Sequence, residues 1–186
     1  MTKDEMKKVV CQAIDEATEK IHETVLRIES EPELGYKETK TAAKVESYMK
    51  ELGLTPQTGL ALTGVKTCVD GGKKGPAVAV LAELDAVGTP DSPKADPLTG
   101  AAHTCGHFLQ MASMLAACTG IVKSDVMKDL AGSAVFFAVP AEEYVEIDYR
   151  KRLVKEGKIH FLGGKSELVY EGHFDDIDMA MMMHSQ

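Results

Sequence analysis

Two histidines and a thiol occur within five residues, in the stretch His103-Thr104-Cys105-Gly106-His107, directly before a long apolar run. The Cys-x-His spacing places two donor atoms on one side of a tight turn, and Gly106 between them permits unusual backbone angles. His103 could supply a supporting hydrogen bond rather than a ligand. The stretch is compatible with a metal site, a reactive thiol or a buried turn, and the residues that meet it in the fold decide between them.

Further reactive side chains follow three apolar runs. Asp85 closes AVAVLAELD, Glu142 and Glu143 follow SAVFFAVPA, and His184 follows MAMMM. Taken singly, each has an ordinary explanation, because adjacent glutamates are usually a solvated pair and an isolated histidine or cysteine is usually structural. Taken together, thiolate, imidazole and carboxylate are ligands that a divalent transition metal prefers. Two adjacent glutamates also suggest that one binds metal while the other acts as a general base on water, as hydrolysis requires.

Predicted helices and strands alternate along the chain. Apolar residues recur every three or four positions over 3–29, and a second helical stripe runs from about residue 39 to a stop at Gly53. Residues 108–122 are apolar nearly all round, which predicts a buried helix. Strands are predicted over 65–69 as an exposed or edge strand, over 77–84 as a strand buried on both faces, and over 133–139 and 179–183.

This alternation predicts a layered α/β fold. In such a sheet, ligands bind beyond the carboxyl ends of the strands, so we expect the four reactive segments to meet at one rim. The interval 144–172 is charged, with a short helix over 148–156 and a glycine turn at Gly163-Gly164. We interpret this interval as a surface excursion between two core strands.

Composition excludes several classes of partner. The net charge of -8 leaves no basic surface for nucleic acid. The sequence has no apolar run of the roughly 18 residues that a membrane span needs. The amino terminus is charged and has no secretory signal, and the four cysteines are dispersed. These features favour a reducing compartment, so a cytoplasmic location is expected.

Five segments, in order from residue 31 to residue 185, resemble the motifs of one enzyme family. They are EPELGYKET, AELDAV, HTCGH, VPAEE and MMMHS. They resemble the metal-dependent amidohydrolases, which include aminoacylases, indole-acetyl-amino-acid hydrolases and p-aminobenzoyl-glutamate hydrolases. No single motif is specific, but the combination covers nearly the whole chain.

The resemblance implies a role for each matching residue. Glu142 would be the general base, and Asp85 would orient the metal site from behind the ligands. The implied cofactors are two divalent metal ions, Zn or Mn, and the implied substrate is an N-acyl or N-aroyl amino acid or a short peptide. The ligands would be Cys105, His107, Glu143 and His184.

Three features depart from the family pattern. Phe108 stands where an Asp or Asn usually follows the second histidine, the proline expected after LDAV is absent, and the segment between the glutamate pair and His184 is long. Family members are about twice as long and carry a lid and dimerisation domain and one more ligand histidine. The resemblance therefore implies that residues 1–186 are the amino-terminal part of an αβα catalytic domain with a mixed, mostly parallel sheet, and that they have little or no amidase activity alone.

Two other functions remain open at this point. The fold could serve as a non-catalytic metal-binding or assembly module. Alternatively, Cys105 could be a redox or nucleophilic thiol beside a basic imidazole.

Overall fold

The computed structural model describes residues 1–184, so Ser185 of the MMMHS motif lies outside the described residues. The longer helices are α1 (Lys3–Glu29), α2 (Thr39–Glu51) and α3 (His107–Ser124), and two shorter ones are α4 (Ile147–Lys155) and α5 (Gly164–Tyr170). The strands are β1 (Gln57–Leu60), β2 (Gly64–Asp70), β3 (Ala77–Glu83), β4 (Val87–Gly88), β5 (Ala101–Ala102), β6 (Ser133–Val139) and β7 (Met179–Met182). The three predicted long helices and the strands over 77–84, 133–139 and 179–183 are therefore confirmed.

The main sheet has the strand order β1-β2-β6-β3-β7. Strand β3 pairs in parallel with β6 and β7, whereas β2 is antiparallel to both β1 and β6. Four of the five strands thus run in one direction, which confirms a mixed, mostly parallel sheet. Because β3, β6 and β7 are parallel, their carboxyl ends meet at one edge.

The strand predicted over 65–69 is present as β2, but the prediction that it is exposed or at an edge was wrong. Strand β2 lies between β1 and β6, and its first four residues are buried. Lys66 made the segment look exposed, but its side chain is only 7 % exposed. Its ammonium group donates to the carbonyl of His173 at 2.8 Å and to Asp176 at 2.5 Å. A long aliphatic stem with a paired end can therefore lie inside a sheet layer.

One face of the sheet is covered by α1, α2 and α3. Their apolar stripes pack on the strands in one cluster. Its fully buried members include Ile28, Met49, Met111, Leu115 and Phe136. Helix α1 begins with a capping box formed by Thr2 and Glu5, which satisfies two backbone donors at its start.

The opposite face is covered by the segment read from the sequence as a surface excursion, so that interpretation was wrong. Three apolar residues of this segment are buried against Phe137 and its neighbours in the sheet: Leu153 in α4, Ile159 in the loop after it, and Leu168 in α5. The segment is charged because its outer side is solvated, while its apolar residues complete the second helical layer. Gly164 is the first residue of α5 rather than part of an isolated turn. The layers are therefore α, β and α, as the resemblance implied.

Within residues 1–184, no helix combines the length and the apolar character that crossing a membrane requires.

Candidate metal centre

The reactive segments meet at the carboxyl edge of the parallel strands, as predicted. Strand β3 ends at Glu83 and is followed by Asp85, strand β6 is followed by the glutamate pair, and strand β7 is followed by His184. His107 is the first residue of α3, and Gly106 before it has a φ of 93°. That left-handed backbone is one that glycine adopts without strain, so it fixes the turn between the thiol and the imidazole.

His107 is buried between two carboxylates. Its Nδ1 atom lies 2.8 Å from the backbone oxygen of Asp85 and 3.3 Å from Oδ1 of the same residue. Its Nε2 atom lies 2.9 Å from Glu83 Oε2 and 3.8 Å from Glu142 Oε2. Glu143 Oε1 lies 4.0 Å from the same nitrogen. Burial lowers the pKa of His107, but the contacts with Asp85 and Glu83 outweigh it and raise the pKa to about 10.

Cys105 and His184 lie on the open side of this histidine. The Cys105 sulfur is 3.6 Å from His184 Nε2, and the rings of His107 and His184 meet edge-on with centroids 5.7 Å apart. Two sets of donor atoms therefore fall within 4.8 Å of one another: Cys105, His107 and His184, and Glu83, His107 and Glu142.

The chemistry of these donors fits a divalent transition metal. A thiol, two imidazoles and several carboxylates face one small volume. Among the described residues, the buried His107 Nε2 forms no hydrogen bond of regular geometry, although it lies 2.9 Å from Glu83 Oε2. Burial, followed by the negative charge of Glu143 and the other carboxylates, raises the pKa of Cys105 to about 12. Such surroundings disfavour a free thiolate, which argues against the redox or nucleophilic thiol. A bound cation would favour the thiolate instead.

Charged side chains hold the backbone beside the glutamate pair. Glu38 is fully buried, and its Oε1 accepts a hydrogen bond from the Ala141 amide at 2.8 Å. Asp85 Oδ2 accepts from the Glu143 amide at 2.8 Å. Asp85 therefore contacts both His107 and the backbone of Glu143, which is how it can orient the site.

His103 does not make the supporting hydrogen bond expected of it. Both of its ring nitrogens lack hydrogen-bond partners among the described residues, and burial lowers its pKa to about 4. Its ring lies 5.8 Å from that of Phe108. The aromatic residue that replaces the family's polar one therefore contacts a neutral histidine.

Sequence reasoning missed three side chains of the site. Glu83 lay inside a strand pattern, where alternation alone could have shown that it shares a face with Asp85. Glu38 lay inside the EPELGYKET motif without an assigned role. Arg150 lay in a charged segment, and no pattern in the sequence distinguished it from solvated neighbours.

No family model matches the sequence. Among curated proteins, the chain is 27 % identical over 187 residues to an N-acyl-L-amino acid amidohydrolase of Geobacillus stearothermophilus, a match covering 99 % of this chain and 45 % of the relative. It is 32 % identical over 136 residues to thermostable carboxypeptidase 2 of Saccharolobus solfataricus, covering 70 % of this chain and 34 % of that protein.

A solved structure shares the fold. It is the Bacillus subtilis YXEP protein, described as a dinuclear metal binding peptidase from the M20 family, with a TM-score of 0.71 and 22 % identity over 90 % of this chain and 43 % of that one. The chain spans less than half the length of the curated relatives that it matches. The matched names, the motif order and the αβα layers agree, and the chain is therefore similar to metal-dependent amidohydrolases and aligns with an amino-terminal part of them.

Proposed function

We propose that this chain supplies metal ligands and the general base of an enzyme that hydrolyses the amide bond of N-acyl or N-aroyl amino acids or short peptides. One observation carries the proposal. The Glu142 carboxylate lies 3.8 Å from His107 Nε2, beside the Cys105, His107 and His184 donors. A base next to a metal-binding cluster is the arrangement that hydrolysis of an amide needs.

The residues that would hold metal are Cys105, His107, Glu143 and His184. Two overlapping donor sets, the second of which contains Glu83 and Glu142 rather than Glu143, and the dinuclear description of a structural relative support two divalent ions. We propose Zn or Mn for them. When bound, such ions lower the pKa of a water molecule and polarise the scissile carbonyl. Asp85 orients this set through its contacts with His107 and with the Glu143 amide.

Glu142 would carry the proton. Burial, followed by the negative charge of Glu83, raises the pKa of Glu142 above its ordinary value, which makes the carboxylate a stronger base. Its side chain is 39 % exposed, so water can reach it. Glu142 would take a proton from the attacking water and return it to the leaving amine.

The substrate class rests on the relatives. Their names specify N-acyl amino acids, N-acetylcysteine, indole-acetyl-amino acids and peptides, which all present an amide bond beside an amino acid. We infer the same class for this chain.

Glu142→Gln is the variant that tests the proposal. Protein loaded with Zn or Mn is assayed on a panel of N-acyl amino acids, and metal content is measured on the same samples. We expect metal content to be unchanged, and whatever turnover the native protein shows to fall by about 10² to 10⁴ fold, the usual contribution of a general base. Full activity in the variant would show that Glu142 is not the general base.

The same assay addresses the non-catalytic alternative. Turnover in the native protein would exclude a purely metal-binding or assembly module, whereas stoichiometric metal without turnover is expected of residues 1–186 under both proposals. Turnover by residues 1–186 alone would contradict the expectation that they have little or no activity.

A further inference from the structure

Arg150 of α4 is fully buried, and its guanidinium group reaches the backbone on both sides of Glu142. Nη1 donates to the carbonyl of Ala141 at 3.2 Å, and Nη2 donates to the carbonyl of Glu143. Nη1 also donates to the carbonyl of Leu162 at 2.6 Å. One side chain therefore contacts the residue before the general base and the residue after it.

The surroundings of this cation are unusual. Among residues 1–184, the hydrogen bonds of the guanidinium group go to backbone carbonyls rather than to a carboxylate, and the group lies 5.4 Å from the Tyr36 ring and 5.7 Å from the Tyr144 ring. Burying a charge without a counter-ion costs free energy, so stability alone is a poor reason to place an arginine here. The backbone carbonyls and the aromatic rings compensate part of that cost.

Gly35 makes room for the side chain. A Cβ atom at this position would overlap Arg150 Nη2 and would come 2.9 Å from the Ala141 Cα. The glycine of the EPELGYKET motif is thus explained by close approach to the arginine and to the loop that it holds.

The arginine is itself held in place. Tyr36 Oη donates to the carbonyl of Phe161 at 2.9 Å, and Lys37 forms an ion pair with Glu146 at 2.7 Å. Both contacts join the segment 144–162 to the EPELGYKET segment, one directly before α4 and one in the loop that follows it. A guanidinium group with a planar set of donors can then hold two carbonyls in one geometry, which an ammonium group cannot.

The loop it contacts has a backbone that needs support. Ala141 has a φ of 52°, in the left-handed region that non-glycine residues seldom adopt. We propose that Arg150 is a positioning residue for the Glu142–Glu143 pair, acting through the carbonyls of Ala141 and Glu143. This inference rests on the proposed function for its consequence in catalysis, but the positioning itself can be measured without a reaction.

The test compares Arg150→Met with Leu153→Ala. Leu153 lies on the same helix and is buried against the sheet, so its truncation weakens the packing of α4 while leaving the guanidinium contacts intact. Amide hydrogen exchange is followed at Ala141 and Glu143, and at Leu84, whose amide bonds to Val139, as a reference. Cobalt(II) is titrated into each protein.

We expect exchange at Ala141 and Glu143 to be faster in Arg150→Met than in Leu153→Ala by about tenfold or more, with Leu84 affected equally in both. The cobalt dissociation constant should rise about 10 to 100 fold in Arg150→Met, as for other residues that orient metal ligands, and stay within about threefold in Leu153→Ala. Arg150→Lys, which retains the charge, should fall between native protein and Arg150→Met, and it provides the comparison if Arg150→Met does not fold.

Equal exchange in the two helix variants would overturn the positioning role and leave Arg150 as part of the packing. If the native chain binds no cobalt, the proposed function fails, and the exchange measurement still decides the role of Arg150.

Discussion

His107 is in contact with a carboxylate at each of its two ring nitrogens. Asp85 lies at Nδ1 and Glu83 at Nε2. A proton on Nδ1, hydrogen-bonded to the backbone oxygen of Asp85 at 2.8 Å, leaves Nε2 as the atom that can bind a cation. Metal and proton therefore compete for Nε2, and metal affinity should increase as the pH rises.

Asp85→Asn should weaken metal binding. The substitution removes the charge that orients His107 and offers a poorer acceptor to the Glu143 amide. We expect the dissociation constant for Zn to rise about 10 to 100 fold, measured by competition with a chromophoric chelator. Asp96→Asn is the matched control, because Asp96 accepts hydrogen bonds only within its own exposed loop. Unchanged affinity in Asp85→Asn would show that His107 does not depend on this carboxylate.

Glu38 should make stability depend on pH. Burial, followed by the charge of Asp85, raises the pKa of Glu38 from 4.5 to about 7. The folded state thus keeps this proton to a higher pH than the unfolded state. Stability falls as the pH rises from about 4.5 to about 7, by about 3 kcal/mol for this group. Glu38→Gln should remove that loss.

Urea unfolding of both proteins at pH 5 and pH 8 measures the effect. The free energy of unfolding of Glu38→Gln, relative to that of the native protein, should be higher at pH 8 than at pH 5. A constant difference between the proteins would mean that Glu38 ionises normally.

At the scale of elements, α5 is part of the core layer rather than a surface feature. Leu168 is fully buried in the cluster on the second face of the sheet, whereas the adjacent Val169 is 60 % exposed. Leu168→Ala should reduce the free energy of unfolding by about 2 to 5 kcal/mol, through lost burial and a cavity. Val169→Ala should change it by less than about 0.5 kcal/mol. Denaturant unfolding measures the free energy of unfolding of both variants. Equal losses in Leu168→Ala and Val169→Ala would show that α5 is not part of the core layer.

The elements that sequence patterns predicted well are the long periodic ones. Helix α1 and strands β3 and β6 carry unbroken apolar patterns, and their observed bounds agree with the predicted ones. The errors lie where a charged residue is buried. Lys66 finds its partners, His173 and Asp176, more than 100 positions away. Arg150 donates to backbone carbonyls 7 to 12 positions away, and a carbonyl is a partner that every residue offers. A single sequence does not show which charges find partners in the fold.

The strand-end residues of the candidate site could also be predicted from apolar patterns. Strand ends could be located from the apolar runs, and topology then brought the reactive side chains together. The interactions that hold them leave no local signal; the bond between Glu38 and the Ala141 amide, for example, spans 103 positions.

At the scale of the whole molecule, the candidate site joins the ends of β3, β6 and β7 to the start of α3. A metal bound there would connect four segments that are far apart in the sequence. An ion that binds only the folded state adds about 2.7 kcal/mol when its concentration is 100 times its dissociation constant. Zn or Mn should therefore raise the midpoint of thermal unfolding, and a chelator should reverse the rise.

Calcium and magnesium provide the control for that measurement. Both prefer oxygen ligands, so they should stabilise the protein less than Zn, which also binds the thiolate and imidazoles. An equal rise in the midpoint of thermal unfolding with Zn, Mn, calcium and magnesium would indicate a site made of carboxylates without Cys105.

A metal ion at the meeting point of these four segments is expected to contact Cys105. The most direct measurement is the absorption spectrum of the protein titrated with cobalt(II), in the native form and as Cys105→Ser. We expect a thiolate-to-cobalt charge-transfer band in the native protein, saturating with bound metal, and its loss in Cys105→Ser. Cobalt that binds without this band, or an identical spectrum in the two proteins, would contradict the account.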